Sequence, residues 1–500
     1  MPVAKTNEGY HWTPAAGVRK GGITTVAAVQ PPTRTSHPAS SYAAIVIGAG
    51  YAGLSAARDI ALTGQPVLLI EARDRIGGRT WAAEVDGTLY EMGGTWVTDK
   101  MGYLYREMCR YGFEKDLLLT RFDGHENDYF SINVPGSEPR NLSHEEAGAM
   151  QARAWTVFVD VDGQQCRTVC PLPHTQLDNL QIDRDLVKRL DNTTLRQRYE
   201  EIKDQLSPEE AGLLLSLLIH ISGGTLDNSS LWDMLRSHAL MGYDTANFGP
   251  VWLTYKLKAG QSALARAIFE EAVDAGLDYS FSTPITSISD NGSFVTVTTA
   301  SGATFRSRRV VSTIPLNVLH SIRFSPPLSQ ARQEAITISH VNHMSKIHAE
   351  VEGSGMTSWA GCNYPGRLLY GYGDGQVKNG NAHVVAFGAD ERDNFCPEEE
   401  PEKALEALQA LHPMDIKRMV FVNWNTDPYA QGGPAWWRPG YATKYQDELQ
   451  SRHGNVLFAS ADWAHGWRAA IDGALEQGTL NAYTVTKELR GLSKQGKAKL

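Results

Sequence analysis

Cysteine is scarce. Five in 500 residues, an odd number, exclude a disulfide-stapled framework and suit reduced thiols. Cys166 and Cys170 have three residues between them rather than two, so a paired metal-ligand spacing is missing and no metal is expected. Basic charge is not in excess: 47 Lys+Arg against 56 Asp+Glu leave a formal charge of -9, which offers nucleic acid no general attraction. The first thirty residues hold Lys5, Glu8, Arg19 and Lys20 and lack the apolar run of a secretory signal. The uncharged stretch 38–57 is interrupted by three glycines and three serines, which makes it a poor membrane span. No internal repeat or low-complexity block appears. Apolar residues at 42% and charged residues at 21% describe an ordinary folded chain, long enough for two to four domains.

Glycine is present where it matters. Residues 1–40, rich in Gly, Pro, Thr and Ala, read as an extended arm in which Pro31-Pro32 forbids a helix. Ala43 to Ile47 reads as a buried strand, Leu54 to Leu62 as a helix stopped at Gly64, and Pro66 to Ile70 as a second strand: one βαβ unit. Gly48-x-Gly50-x-x-Gly53 lies in its first turn. The first glycine makes the tight turn, the second lets backbone approach a pyrophosphate, and the third lets helix and strand pack closely. Tyr51 and Ala52 open the helix whose N-terminus would face the phosphates. Glu71 ends the second strand, 23 residues after Gly48, where a carboxylate can accept hydrogen bonds from ribose hydroxyls. The spacing predicts dinucleotide binding, the alternative being a plain glycine turn. Ala72, Arg73, Gly78 and Arg79 follow, then Gly93-Gly94-Thr95-Trp96. Singly each Gly-Gly pair reads as a turn; together they suggest a dinucleotide held along its length.

Elsewhere, Leu213 to Ile221 reads as a buried helix and Ser262 to Ala275 as an amphipathic one. Thr286 to Thr299 reads as a hairpin turning at Asn291-Gly292. Met344 to Val351 alternates, which puts Lys346, His348 and Glu350 on a polar face and makes Lys346 a solvated lysine on this pattern alone. Glu402 to Leu411 and Ile471 to Leu489 read as helices, the latter weakened at Gly478.

The segments IVIGAGYAGLSAARD (45–59), LLIEARDRIGGRT (68–80) and YEMGGTWV (90–97) resemble the flavin-containing amine oxidases, most of all the fungal monoamine oxidases. So do SGGTLDNSS (222–230), YKLKAGQSALAR (255–266), STIPLNVL (312–319), HVNHMSKIHAEV (340–351) and FASADWAHGWRAAIDGALEQGT (458–479), so the resemblance spans nearly the whole chain. It implies a mixed α/β fold: a Rossmann-type FAD domain from 41–100, 252–330 and 427–492, interleaved with a substrate domain from 101–251 and 331–426, and a flexible tail at 493–500. It implies that Ile285 approaches the adenine, that Ser460, Ala461, Ala470 and Ile471 line the flavin, and that Asp462, in place of a glutamate, lies beside the ribityl chain. It also places Lys346 under the flavin N5, bridged by a water, which reverses the solvated reading. His465 and Cys362 are expected to be bystanders.

The sequence departs from that family pattern in three places. The stretch Gly432-Gly433-Pro434-Ala435-Trp436-Trp437 has no cysteine to carry the flavin, so FAD is expected to be non-covalent. The two aromatic walls that flank the amine fall, without gaps, on Pro434 and Ala470; a shifted register would put Trp436 on the wall instead, and Trp467 is a further candidate. Small walls widen the slot and remove the attraction of rings for a cation.

The reading is therefore oxidative deamination of a bulky or long-chain aliphatic primary amine by dioxygen, giving a carbonyl, ammonia and hydrogen peroxide; a fumonisin-type amino-polyol is one candidate. Polyamine oxidase, L-amino-acid oxidase and a non-catalytic flavin carrier are the alternatives. The family further implies a homodimer. The chain ends Ala498-Lys499-Leu500, close to the tripeptide read by the peroxisomal import receptor, so a peroxisomal address is expected, with the cytoplasm as the alternative and no membrane anchor.

Overall fold

In the computed structural model, residues 3–39, 42–120, 126–170, 183–389 and 395–497 are described. Two nine-stranded sheets organise them. The first holds the parallel core predicted from the glycine motif: Tyr42–Ile47 pairs in parallel with Val67–Ile70 on one side and Thr304–Ser312 on the other. Tyr42–Ile47 and Val67–Ile70 are buried apolar runs, as strands covered on both faces must be. Tyr51–Ala61 forms the crossover helix. The hairpin is present as Ile285–Asp290 and Val295–Thr299, with Asn291 and Gly292 in a turn four residues long.

The second sheet runs through Phe130–Asn133, Ala360–Asn363, Tyr370–Gln376, Ala382–Gly388, Ser345–Val351 and Ile416–Phe421. Helices His144–Val159, Pro208–Ser222 and Leu231–Leu240 lie in the same part of the chain. Pro208–Ser222 opens with a capping box, Ser207 and Glu210 satisfying each other's backbone N–H, and buries nearly all its apolar residues. No helix among the described residues is long and apolar enough to cross a membrane.

Two sequence expectations are corrected here and one is filled in. The described part of the extended arm is built into the sheets. Ala4–Thr6 and Ile23–Thr25 pair with each other, and the latter strand also with Ala82–Val85. Tyr10–Thr13 extends the second sheet beside Ile416–Phe421, and Thr33–Arg34 extends the first. The terminal helix is longer than its apolar pattern, Ile471–Lys497, so the tail expected from 493 is helical to 497. The tripeptide 498–500 lies outside the described residues. Gly478 is no weak point: a Cβ there would stand 2.1 Å from Ser55 Oγ and 2.3 Å from Ala52 O, so glycine is what lets the terminal helix lie against the crossover helix.

Candidate active site

A cavity of about 910 Å³ runs from the glycine turn of the first sheet to the face of the second. That is near the upper end of small-ligand pockets, roughly 300–1,000 Å³. At one end, Gly48, Gly50, Tyr51, Ala52, Glu71, Ala72, Arg73, Gly78 and Arg79 line it. Gly50 caps the crossover helix without a side chain, so the first-turn N–H groups are left to an anion. A Cβ on Gly50 would meet no protein atom nearer than 3.8 Å, so the space beside it belongs to the cavity. Gly53 does not line the cavity. It acts from behind, because a Cβ there would lie 1.8 Å from Gly48 O. Gly48 itself has φ +100° and would press its Cβ to 2.2 Å from Thr313 Oγ1.

Glu71 is buried, and burial raises its carboxyl above the ordinary value against the pull of Arg73. Its two oxygens accept from Ala49 N at 2.5 Å and Arg73 N at 2.8 Å, which ties the glycine turn to the following loop. The arm contributes a residue that sequence reading missed. Glu8 pairs with Arg73 and with Arg75 Nε at 2.6 Å, while Asp74 accepts from Thr6 Oγ1 at 2.7 Å. Arg73 also binds Asp427 Oδ1 at 2.6 Å. The loop around the ribose position is therefore clamped from both ends of the chain.

Gly93, Gly94, Thr95, Trp96, Ile285, Ser460, Ala461, Ala470 and Ile471 all line the cavity, as do Pro434, Trp436 and Trp467. Since Pro434 and Trp436 both face it, either register brings a wall residue there. Ala469, in the Trp467–Ile471 turn, has φ +72°, a left-handed conformation rare for a residue with a Cβ. Asp462 is a correction: it does not line the cavity. It is fully buried, accepting from Arg79 Nη2 at 2.5 Å and Leu316 N at 2.8 Å. Burial would raise its carboxyl, but the Arg79 charge and these donors hold it below the usual range. Arg79 also donates to Gly433 O at 2.8 Å, so Asp462 positions an arginine that joins the two ends of the site. His465 and Cys362 lie outside the cavity lining, Cys362 against Ser216 Oγ at 3.1 Å.

Lys346 overturns the solvated reading. Ser345–Val351 is a central strand buried along its whole length, and its polar face packs on the segment around Glu91 instead of water. Lys346 lines the cavity and donates to Glu91 O at 2.5 Å, Thr95 Oγ1 at 2.7 Å and Gly93 O at 3.1 Å. Burial pushes its ammonium below lysine's ordinary value while the Glu91 carboxylate opposes; burial raises Glu91 in turn. An ammonium has three N–H groups, and all three are taken. A neutral amine keeps a lone pair free, and that form is the one burial favours. His348 Nε2 shares Glu91 O at 2.8 Å, and its Nδ1 meets His383 Nε2 at 2.9 Å, which holds the strand's polar face in register.

The far wall was invisible to motif reading. Trp96, Tyr372 and Phe387 form a ring cluster with centroids 6.0–6.2 Å apart, and Lys346 Nζ stands 5.5 Å over Trp96 and 5.6 Å over Phe387. His220 and Tyr370 continue it, and Trp252 meets Trp467 edge to face at 5.6 Å. Only long-range packing brings these rings together.

The comparisons agree with this geometry. A family model described as flavin containing amine oxidoreductase matches residues 51–486. A pseudooxynicotine dehydrogenase from Pseudomonas sp. is 28% identical over 90% of this chain and 87% of its own length. A putrescine oxidase from Kocuria rosea is 26% identical over 88% of this chain and 94% of its own. Among solved structures, putrescine oxidase bound to putrescine superposes with a TM-score of 0.72 at 19% identity, covering 89% of this chain and 98% of that one. Cyclohexylamine oxidase from Brevibacterium oxydans gives 0.69 at 19% identity, covering 90% and 100%. These likenesses carry the fold.

Proposed function

The chain belongs to the flavin-containing amine oxidoreductases, and from that premise we propose that it oxidises bulky or long-chain aliphatic primary amines, with dioxygen as the electron acceptor. A flavin cofactor together with a pyrophosphate-binding glycine turn means FAD. When bound, FAD supplies the two-electron acceptor for the C–N bond and is reoxidised by dioxygen to give hydrogen peroxide. The chain's own residues do the rest. The glycine turn and helix N-terminus would hold phosphate, Arg79 and Asp462 brace the middle, and Lys346 fixes a polar point beside the ring cluster. The ring cluster excludes water and seats an uncharged amine. Lys346, buried on the cavity wall beside Thr95 and Trp96, is the observation that carries the reading.

The cavity chemistry favours a monoamine over the alternatives. Its described lining includes two carboxylates, Glu71 and Asp233. Glu71 holds the glycine turn, and Asp233 accepts from Trp437 N and is paired with Arg468, so neither is placed for a second ammonium. The lining arginines Arg73, Arg79, Arg236 and Arg468 are engaged with Asp427, Asp462, the carbonyls of His465 and Gly466, and Asp233, which disfavours an amino-acid carboxylate. The small residues at Pro434 and Ala470 are the reason for proposing long or bulky substrates, fumonisin-type amino-polyols among them. The absence of cysteine from 432–437 supports non-covalent FAD.

A peroxide-coupled screen of amines graded in length and bulk tests the reading. Peroxide formation rising from short to long or branched primary amines is expected. Reduction of an artificial acceptor without peroxide would make the enzyme a dehydrogenase, as two relatives are named. Acid precipitation should release the yellow colour into the supernatant. A homodimer and a peroxisomal address through 498–500 complete the proposal. Sizing and a fluorescent fusion with and without the tripeptide test them.

A further inference from the structure

His220 is a polar residue set into the apolar end of the cavity. It comes from the helix Pro208–Ser222, whose other residues on the cavity lining are Leu217 and Ile221. Its ring lies 4.9 Å from Phe387 and 5.7 Å from Tyr370, centroid to centroid. Phe387 in turn is 5.6 Å from Lys346 Nζ, so a single ring separates His220 from the reacting end of the chamber. The histidine lines the cavity and is half-buried although it lies deep inside the protein, so its exposure is to the cavity.

The two ring nitrogens are not equivalent. Nδ1 is sealed away without a hydrogen-bond partner, whereas Nε2 is not among the sealed atoms. A buried N–H left unpaired is rarer and costlier than an unpaired acceptor, so Nδ1 is the bare nitrogen and Nε2 carries the hydrogen. Burial holds the imidazole at about 4, so it is neutral at working pH and neither repels a cation nor takes its proton. What it presents to the cavity is one fixed, uncharged donor.

We propose that His220 is a specificity-determining residue, its Nε2–H donating a hydrogen bond to an oxygen acceptor (hydroxyl, ether or carbonyl) carried by the substrate a few bonds from the carbon that is oxidised. This rests on the amine-oxidase reading above and deepens it: the preferred amine is an oxygenated one. Gln151 and Tyr370, also on the lining and 3.5 Å apart through Nε2 and OH, make the same region polar without charge.

The test compares kcat/KM for pentylamine and 3-methoxypropylamine, chains of equal length in which the ether oxygen accepts but cannot donate. Replacing His220→Leu should lower the ether-to-alkyl ratio about tenfold, mainly through KM, and His220→Gln, which restores an N–H, should recover most of it. Because the reading is a ratio, a general loss of activity cancels. An unchanged ratio in His220→Leu overturns the proposal. Should that variant fail to fold, the wild type decides. Isomeric ether amines with the oxygen moved along the chain should differ by at least about fivefold, since a fixed donor selects one position, and a flat series overturns the proposal. Turnover of neither amine class, nor of any longer amine in the graded screen, would remove the amine-oxidase reading and this role with it, whereas turnover of both with no dependence on oxygen removes this role alone.

Discussion

The two ends of the cavity are built on opposite principles. At the dinucleotide end much of the wall is glycine backbone, and two positions there exclude a side chain: a Cβ on Gly53 or Gly93 would stand within 2 Å of a carbonyl oxygen. At the substrate end the wall is side chain, carried by residues from several strands of the second sheet, four helices and the Trp467–Ile471 turn. The first end has no freedom, because main chain cannot step aside. The second has spare volume at Pro434 and Ala470, where a larger residue gains contacts instead of colliding with backbone. One end fixes the cofactor, the other sets what reacts with it.

That contrast breaks first at Gly53. Gly53→Ala forces its methyl into Gly48 O, and a cost above about 3 kcal/mol is expected where backbone must yield. The purified variant should be colourless or insoluble, so a yellow variant with unchanged thermal midpoint would mean the glycine end is softer than described. Next comes Asp462→Ala. It strips Arg79 of a buried partner, and a loss of roughly 3–5 kcal/mol is expected, read as a lower thermal midpoint and flavin leakage.

Acid should separate the two halves. Burial holds His220 and His383, both in the substrate half, at about 4 against 6.5 unfolded. Below about pH 6.5 the unfolded chain binds protons that the native one refuses, so stability is complete above that value and is lost as pH falls toward 4, on the order of 2 kcal/mol per group. In the FAD sheet, Asp278 is buried and Asp290 half-buried, which alone would raise them, but their hydrogen-bond donors hold them below the ordinary 3.8. Their contribution is present above that value and lost only beneath it. Tryptophan fluorescence should therefore change between pH 6.5 and 4 before flavin is released, and simultaneous change would erase the distinction. The smallest effect belongs to the roomy wall. Ala470→Tyr should shift the ratio of kcat/KM for long over short amines about tenfold toward the short, with the fold intact.

The same contrast explains what could be read from the chain. The βαβ unit, the hairpin and the loops at 77–80 and 93–96 were legible because each is local: glycine spacing and apolar runs within thirty residues dictate them. Lys346 was singled out only through the family resemblance, since alternation on a strand cannot tell a polar face in water from one packed on Glu91. Asp462 was placed on the correct segment without its protein partner, because that partner, Arg79, lies 383 residues away. Glu8 was lost in an arm that composition could describe only as extended. Of the ring wall, Trp96 was named with its Gly-Gly motif, but Tyr372, Phe387 and His220 left no mark, since nothing in sequence spacing links their segments to it. Gly478 looked like a helix defect until its neighbour, the crossover helix, was known.

Anaerobic mixing of the purified protein with a long-chain primary amine tests most directly whether one chamber joins cofactor and amine around Lys346. The flavin absorbance should bleach in the wild type, with Lys346→Met, still yellow and folded, at least about a hundredfold slower in reduction or in reoxidation on admitting air. A flavin that stays oxidised across a wide panel of amines, or a methionine variant matching the wild type in both half-reactions, would contradict it.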